Sequence, residues 1–465
     1  MISALVAAGT VVLVVPPAPH GDAPEWASFA VAEVVTDQVA QSGQSTWISL
    51  KQLDFVLRRR DLRLADVSDP EIALPLARTL GATEVVVGSL RRVSGHYYLT
   101  GERINVATRK VGLTYAGEGS EPELPAMAAA LAQAVLGMKG MPMETNAHAL
   151  RSAALCGMEL VGYPLHPSLG KPQPLQGANS VENDCRAALQ ADPQFGYARA
   201  FLAVLLALKG QTAEAIKEAT EARKDRFVAM AWLAESFAAR VAGDEAASRR
   251  ALEEAVKQRP GFLLALGYLG EDRMAEMDFK TALAIWDKYL ARAPDHPFAL
   301  GQKGHALARL NRMTESLATT QRALAIDPGD AELLIELASR QIDAGRDKDA
   351  EGTLLQALQV YPQRPLAKLR LGFLYLRQKR VRDARDVLHE AITEAWREDE
   401  ARTRSVAFTD LARVAALEGK FDEVVEYLSA AKAEGFAIQR PCDEPELKPF
   451  HGKPEFDSVC AGGKP

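Results

Sequence analysis

The sequence predicts two parts: an α/β domain with a mixed sheet and an antiparallel meander, then an all-α solenoid. Three observations carry that reading. Pro260, Pro294, Pro328 and Pro362 follow one another at steps of 34 residues. Ala282, Ala350 and Ala384 keep the same phase, with Ser316 in the slot between the first two. The first 137 residues lack this period and alternate short β-type runs with amphipathic segments. A fixed repeat of this length marks a stacked helix–turn–helix unit, and such arrays usually serve as binding surfaces rather than catalytic machines.

The N-terminal elements follow in order. Thr10–Val15 reads as a strand. Pro24–Gln41 places Trp26, Phe29, Val34, Val35 and Val39 at helical intervals. Trp47–Leu50 is a short strand. Gln52–Arg60 and Pro70–Leu80 are helical, with Gly81 where a helix end expects it. Three β runs follow, Glu84–Val93, Tyr97–Asn105 and Lys110–Glu118. Ser94-Gly95 and Ala107-Thr108 connect them as hairpins. Strand alternation turns one of Tyr97 and Tyr98 inward and leaves the other for cross-strand packing near Arg103. Glu121–Leu136 is an Ala-rich amphipathic helix.

Four segments result: an α/β domain over 1–140, a linker and a loop-interrupted first hairpin over 141–193, about seven repeats over 194–437, and a cap and tail over 438–465. Met138–Asn146 is the linker, and Pro164–Asn179, rich in Pro and Gly, is an extended loop. Inter-helix turns fall at Gly210, Gly243, Met277, Asn311, Gly345, Lys379 and Gly419. Gly and Asn adopt a left-handed turn at little cost. Met277 and Lys379 do not, so those two turns are expected to be strained or differently shaped.

Composition narrows the function. With 48% hydrophobic and 25% charged residues the chain has the make-up of a soluble folded protein. A net charge of −6 and a pI near 5.9 argue against nucleic acid as a partner. The basic run Arg58-Arg59-Arg60 with Arg63 includes Asp61 and reads as a solvated helix end. Ile2–Pro19 is too short for a membrane span and lacks the basic flank of a signal peptide. A periplasmic or other extracytoplasmic location is favoured if an export signal lies upstream; otherwise the location is cytoplasmic.

Cys156 with Cys185 and Cys442 with Cys460 form two local pairs. Either both are disulfides, which implies an oxidising compartment, or all four are buried thiols.

The helical array resembles the tetratricopeptide repeat (TPR) family over roughly residues 146–436. Leu269-Gly270, Leu371-Gly372 and Leu411-Ala412 match the Leu-Gly pair of its first helix. Ala215, Ser248, Ala282, Ser316, Ala350, Ala384 and Val424 fill its mid-repeat Ala slot. The larger Val424 implies a splayed last repeat. The resemblance implies a right-handed superhelical solenoid.

Residues 1–137 resemble the TolB N-terminal-like (FlgO-like) domain, which often precedes TPR arrays in bacterial envelope and signalling proteins. Leu80-Gly81-Ala82, Gly88-Ser89-Leu90 and Asn105-Val106-Ala107-Thr108 are the closest points, and Thr145–Gly157 is similar to that family's passage into TPRs. No membrane helix, DNA-binding, kinase or cyclase module accompanies it here.

Catalytic signatures are missing from the sequence. It has no P-loop, GxGxxG, HExxH or GxSxG, and its eight histidines show no metal-ligand spacing. No cofactor, metal or catalytic residue is expected. The expected functional surface is the concave face lined by the first helix of each repeat. Carrying one phase along gives Glu271, Met274, Phe298, His305, Arg309, Glu332, Ser339, Asp343, Phe373, Arg377 and Arg413. Aromatic and arginine residues are frequent anchors of interfaces. Glu271 with Arg309, and Asp343 with Arg377, could instead pair with each other across neighbouring helices. The Lys/Asn pattern that grips a chaperone's C-terminal carboxylate is missing.

These features predict a non-catalytic scaffold or adaptor holding a protein segment, with homo-oligomers possible. The alternative is a ligand-sensing regulatory module of a signalling system. A third reading is an enzyme whose site is assembled from distant residues.

Overall fold

The computed structural model describes residues 10–42, 45–59, 62, 64–137, 147–161, 178–224, 228–397, 400–435 and 441–460. Arg60, Asp61 and Arg63, the linker 138–146 and residues 164–177 of the long loop fall outside the described residues.

The N-terminal elements run β1 (Val11–Val14), β2 (Ala18–Gly21), α1 (Glu25–Ser42), β3 (Thr46–Ile48), α2 (Leu50–Arg59), α3 (Pro70–Thr79), β4 (Glu84–Val93), β5 (His96–Asn105), β6 (Val111–Ser120) and α4 (Leu124–Leu136). The sheet order is β3-β1-β4-β5-β6, with β2 alongside β4. Parallel pairs join β1 to β3 and β4, and antiparallel pairs join β4, β5 and β6. All four residues of β1 are buried, as expected for a central strand covered on both faces. Strand β2 was not legible, because Pro17 and Pro19 flank its first residues. Among the described residues it pairs with β4 alone, and a proline is tolerated where one edge needs no ladder donor. Ser94 and Gly95 both take positive φ, the geometry of a tight two-residue hairpin. Tyr97 is the inward tyrosine and Tyr98 is 40% exposed.

The array continues with α5 (Ala147–Val161), α6 (Ala178–Ala191), α7 (Gly196–Leu208), α8 (Thr212–Ala222), α9 (Val228–Val241), α10 (Glu245–Gln258), α11 (Leu263–Ala275), α12 (Phe279–Arg292) and α13 (Pro297–Arg309). Then come α14 (Met313–Ile326), α15 (Ala331–Asp343), α16 (Asp347–Val360), α17 (Pro365–Arg377), α18 (Val381–Arg397), α19 (Ala401–Leu417), α20 (Phe421–Ala433) and the short α21 (Pro454–Cys460). All seven inter-helix turn residues have positive φ, including Met277 at 60° and Lys379 at 58°. These two turns are therefore not differently shaped: they share the left-handed geometry and carry its cost on a side-chain-bearing residue.

The chain forms two compact units, residues up to Ala306 and residues from Leu307. In the first unit the sheet domain and the helices share one hydrophobic core. Trp47 stacks on Phe262 with ring centroids 5.6 Å apart. The Gln52 side-chain amide donates to the Tyr289 hydroxyl at 3.1 Å, and Arg259 donates to the Ala40 carbonyl at 2.5 Å. Gly81, at φ +70°, lies against the His296 backbone so closely that a Cβ would sit 2.8 Å from it. The domain is thus packed onto repeats more than 200 residues downstream.

In the second unit, the 441–460 segment closes the last hairpin. Leu447 and Phe456 are fully buried in a cluster with Ala412, Ala415, Val424 and Leu428. Val424 is itself fully buried, so the last repeat is closed rather than splayed. Disulfides join Cys156 to Cys185 across α5 and α6, with Cα atoms 5.2 Å apart, and Cys442 to Cys460 within the cap.

Candidate functional site

The hairpins depend on small residues where their two helices cross. Ala282, Ala350, Ala384 and Ser316 are all fully buried. Gly270 faces the Trp286 ring, where a Cβ would meet ring atoms at 2.5 Å. That contact explains the Leu269-Gly270 pair: the large side chain of the second helix occupies the space glycine leaves. Gly372 plays the same part against Leu388.

The candidate surface residues divide by unit. In the first unit, Met274 and Phe298 are half-buried and packed on the core. Phe298 meets Trp286 edge-on, with centroids 5.8 Å apart. Neither is a free-standing anchor, and Glu271 and His305 are half-buried as well. Adjacent repeats here are clamped by Arg240, whose guanidinium grips Asp272 through two bonds of 2.8 Å.

In the second unit, Arg309, Asp343 and Arg377 are exposed, while Glu332, Ser339 and Phe373 are half-buried. The Ser339 hydroxyl donates back to the Ile335 carbonyl of its own helix. Arg364 bridges Glu332 and Glu400, tying three successive repeats together. Arg377 does not pair with Asp343. Its guanidinium lies 3.2 Å from Asp347 and also donates to the Ile342 carbonyl.

Arg413 is buried and engaged. It lies 3.0 Å from Asp410 and 3.2 and 3.5 Å from Glu446 and Glu444 of the cap. This corrects its reading as an open groove contact: the guanidinium is held within the molecule. It also lies over the Phe373 ring, 5.8 Å from the centroid. Burial pushes the Asp410 carboxyl up to about 6, even though the Arg413 charge pulls the other way.

One group of residues was missed by the sequence reading. Arg370 is exposed and lies one turn before Phe373 on α17, with Arg377 one turn after it. The i, i+3, i+7 spacing puts all three on one helix face. Arg370 falls outside the phase that links the other candidates, although its i, i+3, i+7 spacing with Phe373 and Arg377 is readable in the sequence.

A second feature appears where α1 meets α5 and the start of α7. Phe29, Glu33, Val34, Asp37, Leu150, Phe195 and Tyr197 are among the residues lining a small cleft there. Burial, with a smaller contribution from Asp37, pushes the Glu33 carboxyl up to about 8. Neither acid was singled out from the sequence, since only folding brings the apolar wall to them. Among the described residues no cluster of three or more His, Cys, Asp or Glu has metal-binding geometry, and no helix is long and apolar enough to cross a membrane.

Repeated antiparallel hairpins, small crossing residues and left-handed turns define a TPR-type repeat protein joined to a mixed-sheet domain. No family model matches the chain. The TPR repeat-containing protein PA4667 of Pseudomonas aeruginosa is 28% identical over 200 residues. That match takes in 40% of this chain and 33% of the relative, so it spans a third of the relative's length. Among solved structures, PilW, a type IV pilus biogenesis factor, is 20% identical, with 49% of this chain and 99% of that one covered and a TM-score of 0.41. A thermophilic TPR protein of Thermus thermophilus is 21% identical, with 38% and 98% covered and a TM-score of 0.34. TPR-type proteins generally mediate protein–protein interaction.

Proposed function

We propose that this chain is a non-catalytic scaffold whose second unit holds a protein segment on the Arg370–Phe373–Arg377 face of α17. The observation supporting it is a half-buried aromatic flanked by two exposed arginines on one helix face, with Arg413 fixed over the ring. Such a face offers an apolar contact and charge-assisted hydrogen bonds to carboxylates. The matching partner is an acidic segment carrying an apolar or aromatic residue. The two disulfides support an oxidising compartment, and with the TolB N-terminal-like resemblance they favour a bacterial envelope assembly.

A display screen of peptide segments against the full chain tests this reading. Enrichment of acidic, aromatic-containing segments is expected. Phe373→Ala/Arg377→Glu should weaken the best of them at least about tenfold, by analogy with interface anchors. Binding that is unchanged in this variant sinks the assignment.

A second reading, ligand sensing by the N-terminal region, draws support from the cleft holding Glu33 and Asp37. A thermal-shift screen in which a metabolite stabilises the wild type but not Glu33→Gln would favour it over the scaffold reading.

A further inference from the structure

Arg413 on α19 is surrounded by more acid than one guanidinium needs. Its Nη1 donates to Asp410, one turn back on the same helix, at 3.0 Å. The opposite side of the guanidinium is taken by the cap: Nε and Nη2 both donate to Glu446, at 3.2 Å each. Glu444 stands 3.5 Å away as a third carboxylate. A two-bond fork of this kind is how arginine grips a carboxylate with directional specificity. The fork adjoins the α17 face. The guanidinium lies over the Phe373 ring, and the charges of Arg370 and Glu444 both reach the buried Asp410 carboxyl.

The stretch that supplies the cap acids is Asp443-Glu444-Pro445-Glu446-Leu447. It is held at both ends. Cys442, just before it, is bonded to Cys460, and Leu447 is fully buried beside Ala412, Ala415 and Val424. Acidic residues with an apolar anchor are the chemistry already inferred for the partner. A carboxylate tethered in this way competes at roughly millimolar effective concentration.

We propose that residues 443–447 are a built-in competitor for the acidic partner segment: Glu446 fills the Arg413 fork, and a partner carboxylate takes that fork when the stretch gives it up. The proposal rests on the reading of Arg370, Phe373 and Arg377 as a binding face, to which it adds Arg413 as a fourth member closed by the cap. Asp410 stays beside Arg413 in both states, so the exchange never leaves the buried guanidinium without a counter-charge.

The probe is a fluorescein-labelled peptide of one phenylalanine between pairs of glutamates, titrated against the full chain at fixed ionic strength. Glu444→Gln/Glu446→Gln keeps Leu447 and the disulfide and removes the competing charge. It should bind the peptide about tenfold tighter than wild type, as when a site open about a tenth of the time becomes fully open. Glu315→Gln/Asp349→Asn changes net charge equally at exposed positions on α14 and α16, and should bind as wild type does. Arg413→Lys added to the cap variant keeps the charge without the fork, and should abolish the gain. In the wild type the Leu447 amide donates to the Glu444 carbonyl at 2.9 Å, and saturating peptide should speed its hydrogen exchange. Equal binding by wild type and cap variant overturns the proposal. If that binding is still lost in Phe373→Ala/Arg377→Glu, the α17 face stands without its competitor. A tenfold gain in the Glu315/Asp349 variant also overturns it, as an effect of net charge alone, and so does unchanged exchange at Leu447. Binding to neither chain overturns both the proposal and the face.

Discussion

The two units are built on the same repeat but held together differently. In the first, the mixed-sheet domain lies against α11 and α12, and aromatic residues on that side are drawn into a common core: Trp47 on Phe262, and Phe298 against Trp286. In the second, successive repeats are tied by arginines to carboxylates: Arg364 to Glu332 and Glu400, and Arg404 to Glu434. A residue at a groove position can therefore be a core residue in one unit and a surface residue in the other. Phe298 and Phe373 both lie on first helices of their hairpins, yet only Phe373 sits between exposed arginines.

The largest expected effect tests the ionic ties. Arg404 and Glu434 are almost fully buried, paired through two bonds of 2.9 and 2.8 Å, with the guanidinium over the Trp396 ring. Arg404→Ala leaves a carboxylate buried without its partner, and about 3–5 kcal/mol of stability should be lost. Chemical denaturation measures it. A loss below about 1 kcal/mol would show that this tie behaves like a surface pair. The cap comes next. Cys442→Ser/Cys460→Ser opens an 18-residue loop, which should cost about 3 kcal/mol on a chain-entropy account. Hydrogen exchange should then rise first in α20 and α21, since Leu447 and Phe456 lose their restraint. Protection unchanged there would mean that the cap is held by packing alone.

Glycine at the helix crossing gives a finer comparison. At Gly270 a new Cβ meets the rigid ring of Trp286, while at Gly372 it meets the branched side chain of Leu388 at Cγ and Cδ2. Gly270→Ala should cost about 1–3 kcal/mol and Gly372→Ala clearly less, because leucine can change rotamer and indole cannot yield. The chain already holds an alanine at the equivalent Ala412, where it is fully buried. Equal losses at the two glycines would break the distinction.

Most of the architecture was legible because it rests on local rules. The 34-residue period, the β-run hairpins and the turn positions come from spacing and from residues that favour left-handed backbone. What was not legible depends on distant contacts. Nothing local shows that Gly81 faces His296, or that Gln52 reaches Tyr289. Strand β2 was hidden by its prolines. Arg413 looked like an outward groove residue because its phase is right; Asp410 on its own helix engages it, but two of its acid partners, Glu444 and Glu446, lie more than 30 positions on. Positions along the first helices were thus readable, and what each side chain meets was not.

The smallest effect concerns pH, and in the first unit two buried groups act in opposite senses. Burial pushes Glu33 up to about 8 from an ordinary carboxyl near 4.5. The folded chain therefore binds this proton more tightly than the unfolded one, and stability falls as pH rises from 4.5 to 8. Burial pushes His296 down to about 4 from 6.5, so its contribution is full above 6.5 and lost as pH falls towards 4. Between 4.5 and 6.5 the two offset each other; from 6.5 to 8 only the Glu33 decline remains. Glu33→Gln removes it and should raise stability at pH 8 by about 1–2 kcal/mol, the figure discounted because Glu33 keeps partial access to water. The gain should shrink towards zero near pH 4.5, and hydrogen exchange in α1 should follow it while α17 does not respond. A gain equal at both pH values would show that the substitution acts by packing rather than by charge. A response in α17 as well would mean that the two units do not melt as separate bodies.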